Sequence, residues 1–133
     1  MILADTSAWV EFDRATGSAV DQRLTELIRS GASVAVTEAI VMEVTAGART
    51  DREHDLRRLM ARFDLLRFDP AIDFDGATRI YRRCRRAGIT PRGLIDCMIA
   101  AVALRHGASL LALDSDLEQV ADVMGIGLEG PAT

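Results

Sequence analysis

Four short apolar runs, each closed by a turn signal and separated by helix-period segments, restrict this chain more than any other feature. The runs are MILA (1–4), SVAV (33–36), LLRF (65–68) and SLLAL (109–113). They are brief and nearly continuous in apolar residues, as strands covered on both faces are. Between them, the segments from Ser7 onward, Val20 to Arg29, Ala39 to Ala46, His54 to Phe63, Phe74 to Ala87 and Leu94 to Arg105 suit helices. Gly31, Gly88 and Gly107 stand where helices should stop, since glycine adopts the left-handed conformation without a Cβ clash. A last short strand is expected around 126–128, followed by a loose tail from Pro131. Strands alternating with helices imply an α/β domain with a mostly parallel sheet. In such sheets ligands gather beyond the carboxyl ends of the strands.

A length of 133 residues suits one domain, expected to span 1–133, and is enough to bury a core. The two cysteines, Cys84 and Cys97, show no CxxC or Cys/His spacing and fall on apolar helix positions, so buried, reduced thiols are expected. The N-terminus lacks a basic region followed by a long apolar stretch, and no run approaches membrane-spanning length. A cytoplasmic protein with no membrane contact is the resulting expectation. All sixteen basic residues are arginine. A Walker A phosphate loop needs a lysine, as do the patterns of receiver domains and haloacid-dehalogenase-like phosphatases. The absence of lysine argues against all three.

The acidic residues carry the functional signal. Asp5 follows the first run and Asp114 follows SLLAL, with Asp116 two residues on, so all three belong to the binding edge of a parallel sheet. Glu43 lies among Ile40, Val41 and Val44, and Asp96 lies between Ile95 and Cys97 in the first turn of an apolar helix. Singly, each has an ordinary structural use: Asp5, Asp96 or Asp114 as a helix cap, Glu43 as an arginine partner. Together they are harder to explain that way. Two carboxylates about 4 Å apart repel by roughly 1 kcal/mol in water and about 4 kcal/mol near a protein surface. A divalent cation makes such a cluster favourable, and hard oxygen donors select Mg²⁺ or Mn²⁺ over zinc.

The blocks DTSAW, TEAIVMEVTAGAR, PRGLIDCMIAAVALRHGASLLALD and DSDLEQVA occur in this order across nearly the whole chain. This spaced set resembles the PIN-domain ribonucleases, most closely the VapC-type toxins of toxin–antitoxin pairs. The resemblance implies a three-layer α/β/α domain with a mostly parallel central sheet. It also implies a metal-dependent endoribonuclease using Mg²⁺ or Mn²⁺. Carried over residue by residue, it makes Asp5, Glu43, Asp96 and Asp114 the catalytic acids. Asp5, Asp96, Asp114 and Asp116 become the metal ligands, Asp116 at a second site, with Thr6 and Ser7 as helpers. Glu38 competes with Glu43 for the helix acid, but Glu43 directly precedes VTAGAR as the family acid does. A cognate antitoxin protein and a homodimer are the family expectation for partners. A PIN-like binding module that has lost catalysis is the alternative; all four core acids are present, which weighs against it.

RNA also has to be gripped. Arg79, Arg82, Arg83 and Arg86 recur at i, i+3, i+4 and i+7, beside an apolar stripe of Ala77, Ile80, Tyr81 and Cys84. The row reads either as a solvated amphipathic face or as a surface that tracks RNA phosphates. Arg92, ahead of the Asp96 helix, is a candidate for contact near the cut site. His54 and His106 fall outside the acid set, which argues against histidine-dependent cleavage.

Overall fold

The computed structural model describes residues 1–130, so the expected Pro131 tail lies outside the described residues. Strands β1 (Ile2–Ala4), β2 (Val34–Val36), β3 (Asp64–Leu65) and β4 (Ser109–Leu111) form one sheet in the order β3-β2-β1-β4. Every pairing is parallel: Leu3 lies opposite Ala35 on one side and Leu110 on the other. The helices are α1 (Thr6–Arg14), α2 (Ala19–Ser30), α3 (Glu38–Gly47), α4 (Glu53–Met60), α5 (Pro70–Arg86), α6 (Leu94–His106) and α7 (Ser115–Met124). Successive strand residues point to opposite faces. Leu3 and Ala4 are both fully buried, as are Leu110 and Leu111 within 1%, so the central strands are covered on both sides. This is the α/β architecture expected from the pattern.

Strand order fixes where a ligand can sit. The chain winds outward from β1 to β2 to β3, then returns through α5 and α6 to place β4 on the other side of β1. The winding direction therefore reverses between β1 and β4, and the crevice beyond their carboxyl ends is the preferred ligand position in such sheets. Asp5 and Asp114 are the residues that flank it.

Helix α6 is apolar all round, with Cys97 and Ile99 through Ala103 buried, the character of a helix enclosed in a core. Its alanines let α5 approach closely: a Cβ built on Gly76 would meet the Ala101 side chain at 3.4 Å. Asp73 of α5 pairs with Arg105 at the far end of α6, at 2.7 Å, so the two helices run antiparallel. Cys84 and Cys97 are both buried and free, as expected. Trp9 is fully buried and its indole N–H donates to Ala4 O at 3.1 Å, fixing α1 to the end of β1.

Some boundaries differ from the sequence expectation. The third strand is Asp64–Leu65 rather than 65–68, and both of its residues are exposed. It is the sheet edge, paired only with β2. Beyond it Leu66 is buried and donates its N–H to Val36 O, while the Phe68 N–H is taken by Glu38. The apolar residues of that run thus pack inward as the chain leaves for α5. The fourth strand stops at Leu111, and the segment at 126–128 makes a single parallel bridge, Leu110 to Leu128.

Candidate active site

The carboxyl ends of β1 and β4 are joined directly. The Asp5 N–H donates to Leu111 O at 2.9 Å, and the Leu113 N–H donates to Ser7 Oγ at 2.8 Å. The Ser7 hydroxyl in turn donates to Asp5 Oδ2 at 2.8 Å, and the Ser7 N–H reaches the same oxygen at 3.2 Å. Asp5 is therefore the N-cap of α1 as well as an acid of the site, with 2% of its surface exposed. Its other oxygen, Oδ1, accepts no hydrogen bond from the described residues and is not sealed from solvent. Burial pushes the Asp5 carboxyl above its ordinary value, partly offset by the hydrogen bonds from Ser7.

Asp96, Asp114 and Asp116 come together on two helix starts. Asp114 is the N-cap of α7, accepting from the Asp116 N–H at 2.9 Å and the Leu117 N–H at 3.4 Å. Asp96 caps nothing. Gly93 stands at the N-cap of α6 without a side chain, leaving the Asp96 carboxylate uncommitted in the first turn. One oxygen from each of the three acids lies within 4.8 Å of the others. Burial first, then the charges of Asp114, Asp5, Glu43 and Asp116, lift the Asp96 carboxyl to about 7. Such a set of hard oxygen donors, held near one another against their own repulsion, fits a divalent ion of the Mg²⁺ or Mn²⁺ kind.

Glu43 and Asp5 stand outside that triplet but close enough for their charges to act on Asp96 and on each other. Glu43 accepts the Thr6 hydroxyl at 2.7 Å, which ties α3 to the start of α1. Glu38 is turned elsewhere, to Thr37 and the Phe68 N–H, so Glu43 is the helix acid that faces the site. The structure brings the acids named from the sequence to one end of the sheet, but the sequence reading sets Asp5 among the core acids and Asp116 at a second site. The structure separates them: Asp116 is in the close triplet, whereas Asp5 is buried at its edge.

Arg92 sits at the triplet's rim. Its guanidinium Nε donates to Asp116 Oδ2, Nη2 lies 3.9 Å from Asp114 Oδ1, and its backbone N–H lies 3.4 Å from Asp116 Oδ2. Arg79, Arg82, Arg83 and Arg86 are exposed, form no ion pair among the described residues, and border a groove of about 520 Å³ between α5 and α6. Ile72, Leu104 and Met124 supply apolar surface in the same groove. Since α5 runs antiparallel to α6, the row ascends toward the end of α6 that bears Asp96. His54 and His106 are exposed and take no part in the acid cluster. The sequence reading missed the Asp73–Arg105 pair at the groove's other end. Its signal was present, because Asp73 continues the apolar stripe of Ala77, Ile80 and Cys84 at helical spacing and is itself 1% exposed.

Comparison with known proteins identifies the family of the chain. The family model described as PIN domain matches residues 2–123. The ribonuclease VapC11 of Mycobacterium tuberculosis is 45% identical over 128 residues, spanning 95% of this chain and 96% of that protein. A VapC ribonuclease of Mycobacterium bovis matches to the same extent, 45% over 128 residues. Among solved structures, VapBC2 of Rickettsia felis bound to a promoter DNA fragment superposes with a TM-score of 0.75 at 16% identity, covering 97% of this chain and 98% of that one. VapC20 of Mycobacterium tuberculosis, a toxin that cleaves the sarcin-ricin loop, superposes with a TM-score of 0.70 at 17% identity, covering 99% and 100%. These two structural likenesses speak to the fold.

Proposed function

The chain belongs to the PIN-domain family and to its VapC ribonuclease branch, and from that premise we propose that it is a metal-dependent endoribonuclease acting as the toxin of a toxin–antitoxin pair. The observation that carries the reading is the meeting of Asp96, Asp114 and Asp116 within 4.8 Å at the switch point of the sheet, with Asp5 and Glu43 beside them. Asp96, Asp114 and Asp116 would hold Mg²⁺ or Mn²⁺. When bound, such an ion supplies Lewis-acid polarisation of a phosphoryl oxygen and lowers the pKa of coordinated water.

The chain's own groups provide the rest. Ser7 holds Asp5 Oδ2, which fixes the orientation of the carboxylate and would leave Oδ1 for the site. Glu43, steadied by Thr6, is placed to orient an attacking water and accept its proton. Attack of water on the phosphorus with departure of the 3′-oxygen, which takes up a proton, would leave a 5′-phosphate and a 3′-hydroxyl. Arg79, Arg82, Arg83 and Arg86 track the RNA backbone leading to the acids, which makes binding salt-dependent. The working assembly is a cytoplasmic homodimer of the single domain 1–133, restrained by a cognate antitoxin that covers the acidic site.

The test is RNA cleavage by purified protein in Mn²⁺, Mg²⁺ or EDTA, alongside Asp5→Ala and Asp96→Asn. Discrete fragments are expected with either ion, vanishing with EDTA and falling by at least about 100-fold in both variants, the scale of losing an electrostatic or acid–base contribution. Cleavage that survives both substitutions would contradict the reading. Metal uptake with no cleavage of any RNA would favour the silent binding module.

A further inference from the structure

Arg92 has a position that the ribonuclease reading leaves unexplained. Its side chain is 77% exposed, yet it is bound at its tip to Asp116 and lies 3.9 Å from Asp114, whose own side chains are 17% and 27% exposed. The guanidinium is therefore a solvent-side cation resting on two of the three carboxylates that converge there. Asp116 Oδ2 takes both the Arg92 Nε and, more weakly, its backbone N–H. The positive charge of Arg92 on this oxygen opposes the approach of a metal ion to the same carboxylate. Because Arg92 is exposed and sits in the loop ahead of α6, the arginine can leave without disturbing the core.

Building on the ribonuclease reading, we propose that Arg92 is an exchangeable cation of this site. In the metal-free protein it neutralises Asp116 and Asp114, and it competes with the divalent ion for those oxygens. Once displaced, its planar guanidinium is left two residues ahead of α6, beside the position of the bound phosphate. There its fork of donors matches phosphate oxygens in a way that an ammonium group does not. The same residue thus disfavours metal when no substrate is present and favours substrate when metal is.

The two roles push measurements in opposite directions, which makes the proposal separable from simpler ones. Arg92→Ala should bind Mn²⁺ more tightly than the wild type, by roughly 2- to 5-fold in calorimetric titration without RNA, the scale of an exposed ion pair. The difference should shrink as salt rises. With Mn²⁺ saturating, the same variant should cleave RNA with a kcat/KM lower by about 10-fold or more, and Arg92→Lys should recover only part of it. Tighter metal binding with undiminished cleavage would make Arg92 a mask alone and overturn the exchange. Unchanged metal affinity with reduced cleavage would make it a substrate contact alone, and weakened metal binding would make it a structural support. Each contradicts the proposal while leaving the ribonuclease reading intact. Wild-type protein that neither takes up Mn²⁺ nor cuts RNA would remove both.

Discussion

At the scale of single residues, the decisive fact is that, of the aspartates at the site, Asp96 is left without a structural partner among the described residues. Asp5 and Asp114 each cap a helix, and Asp116 is bound by Arg92, but Asp96 has a glycine doing the capping three residues before it. Its carboxyl is raised to about 7 from an ordinary value of 3.8, first by burial and then by its acidic neighbours. The sign of the linkage follows. A carboxyl that holds its proton more tightly when folded favours folding most below the unfolded pKa, and that contribution is lost as pH rises through the folded value. Metal-free wild type should therefore lose stability between about pH 4 and pH 7, whereas Asp96→Asn should lose distinctly less over the same window. Urea unfolding at pH 5 and pH 8 in EDTA measures this. Parallel losses in the two proteins would show that Asp96 is not the strained group. A bound divalent ion should reverse the trend, stabilising more at pH 8 than at pH 5, because it needs the ionised form.

At the scale of elements, two chain reversals have to be held in register for the acids to meet. The Ser7 hydroxyl does this by donating to Asp5 Oδ2 and accepting the Leu113 N–H, so β1–α1 and β4–α7 share one side chain. Ser7→Ala removes both bonds and should cost about 1–2 kcal/mol in urea denaturation, with weaker Mn²⁺ binding. A variant as stable as the wild type with the same metal affinity would show that the elements hold themselves in place. Much of this level was legible in the sequence. The apolar runs located β1, β2 and β4 because those strands are covered on both faces, and glycines marked where α2 and α6 end. The third strand was misplaced because an edge strand needs no apolar residues of its own: Asp64 and Leu65 are exposed, while Leu66 and Phe68 pack inward from the connection. Motif order singled out the acids, but which ones lie close together depends on helix-start geometry, and that is why Asp116, assigned to a second site from the sequence, stands in the close triplet while Asp5 does not. The Arg92–Asp116 bond joins residues 24 apart with no periodic signal to announce it.

At the scale of the whole molecule, charge is divided. The chain carries −4 overall, yet Arg79, Arg82, Arg83, Arg86 and Arg92 lead toward the place where Asp96, Asp114 and Asp116 converge. That division suits an enzyme that must attract an RNA backbone and still hold cations at the point of cleavage. It also locates the central claim in one small volume. Manganese can be observed there directly through anomalous X-ray scattering from a crystal soaked with Mn²⁺. The account predicts a single dominant anomalous peak between Asp96, Asp114 and Asp116, with oxygen distances near 2.2 Å and absent from Asp96→Asn (about the 2.0–2.6 Å range of hard divalent ions). No peak at that position, or an equally strong peak in Asp96→Asn, would contradict it.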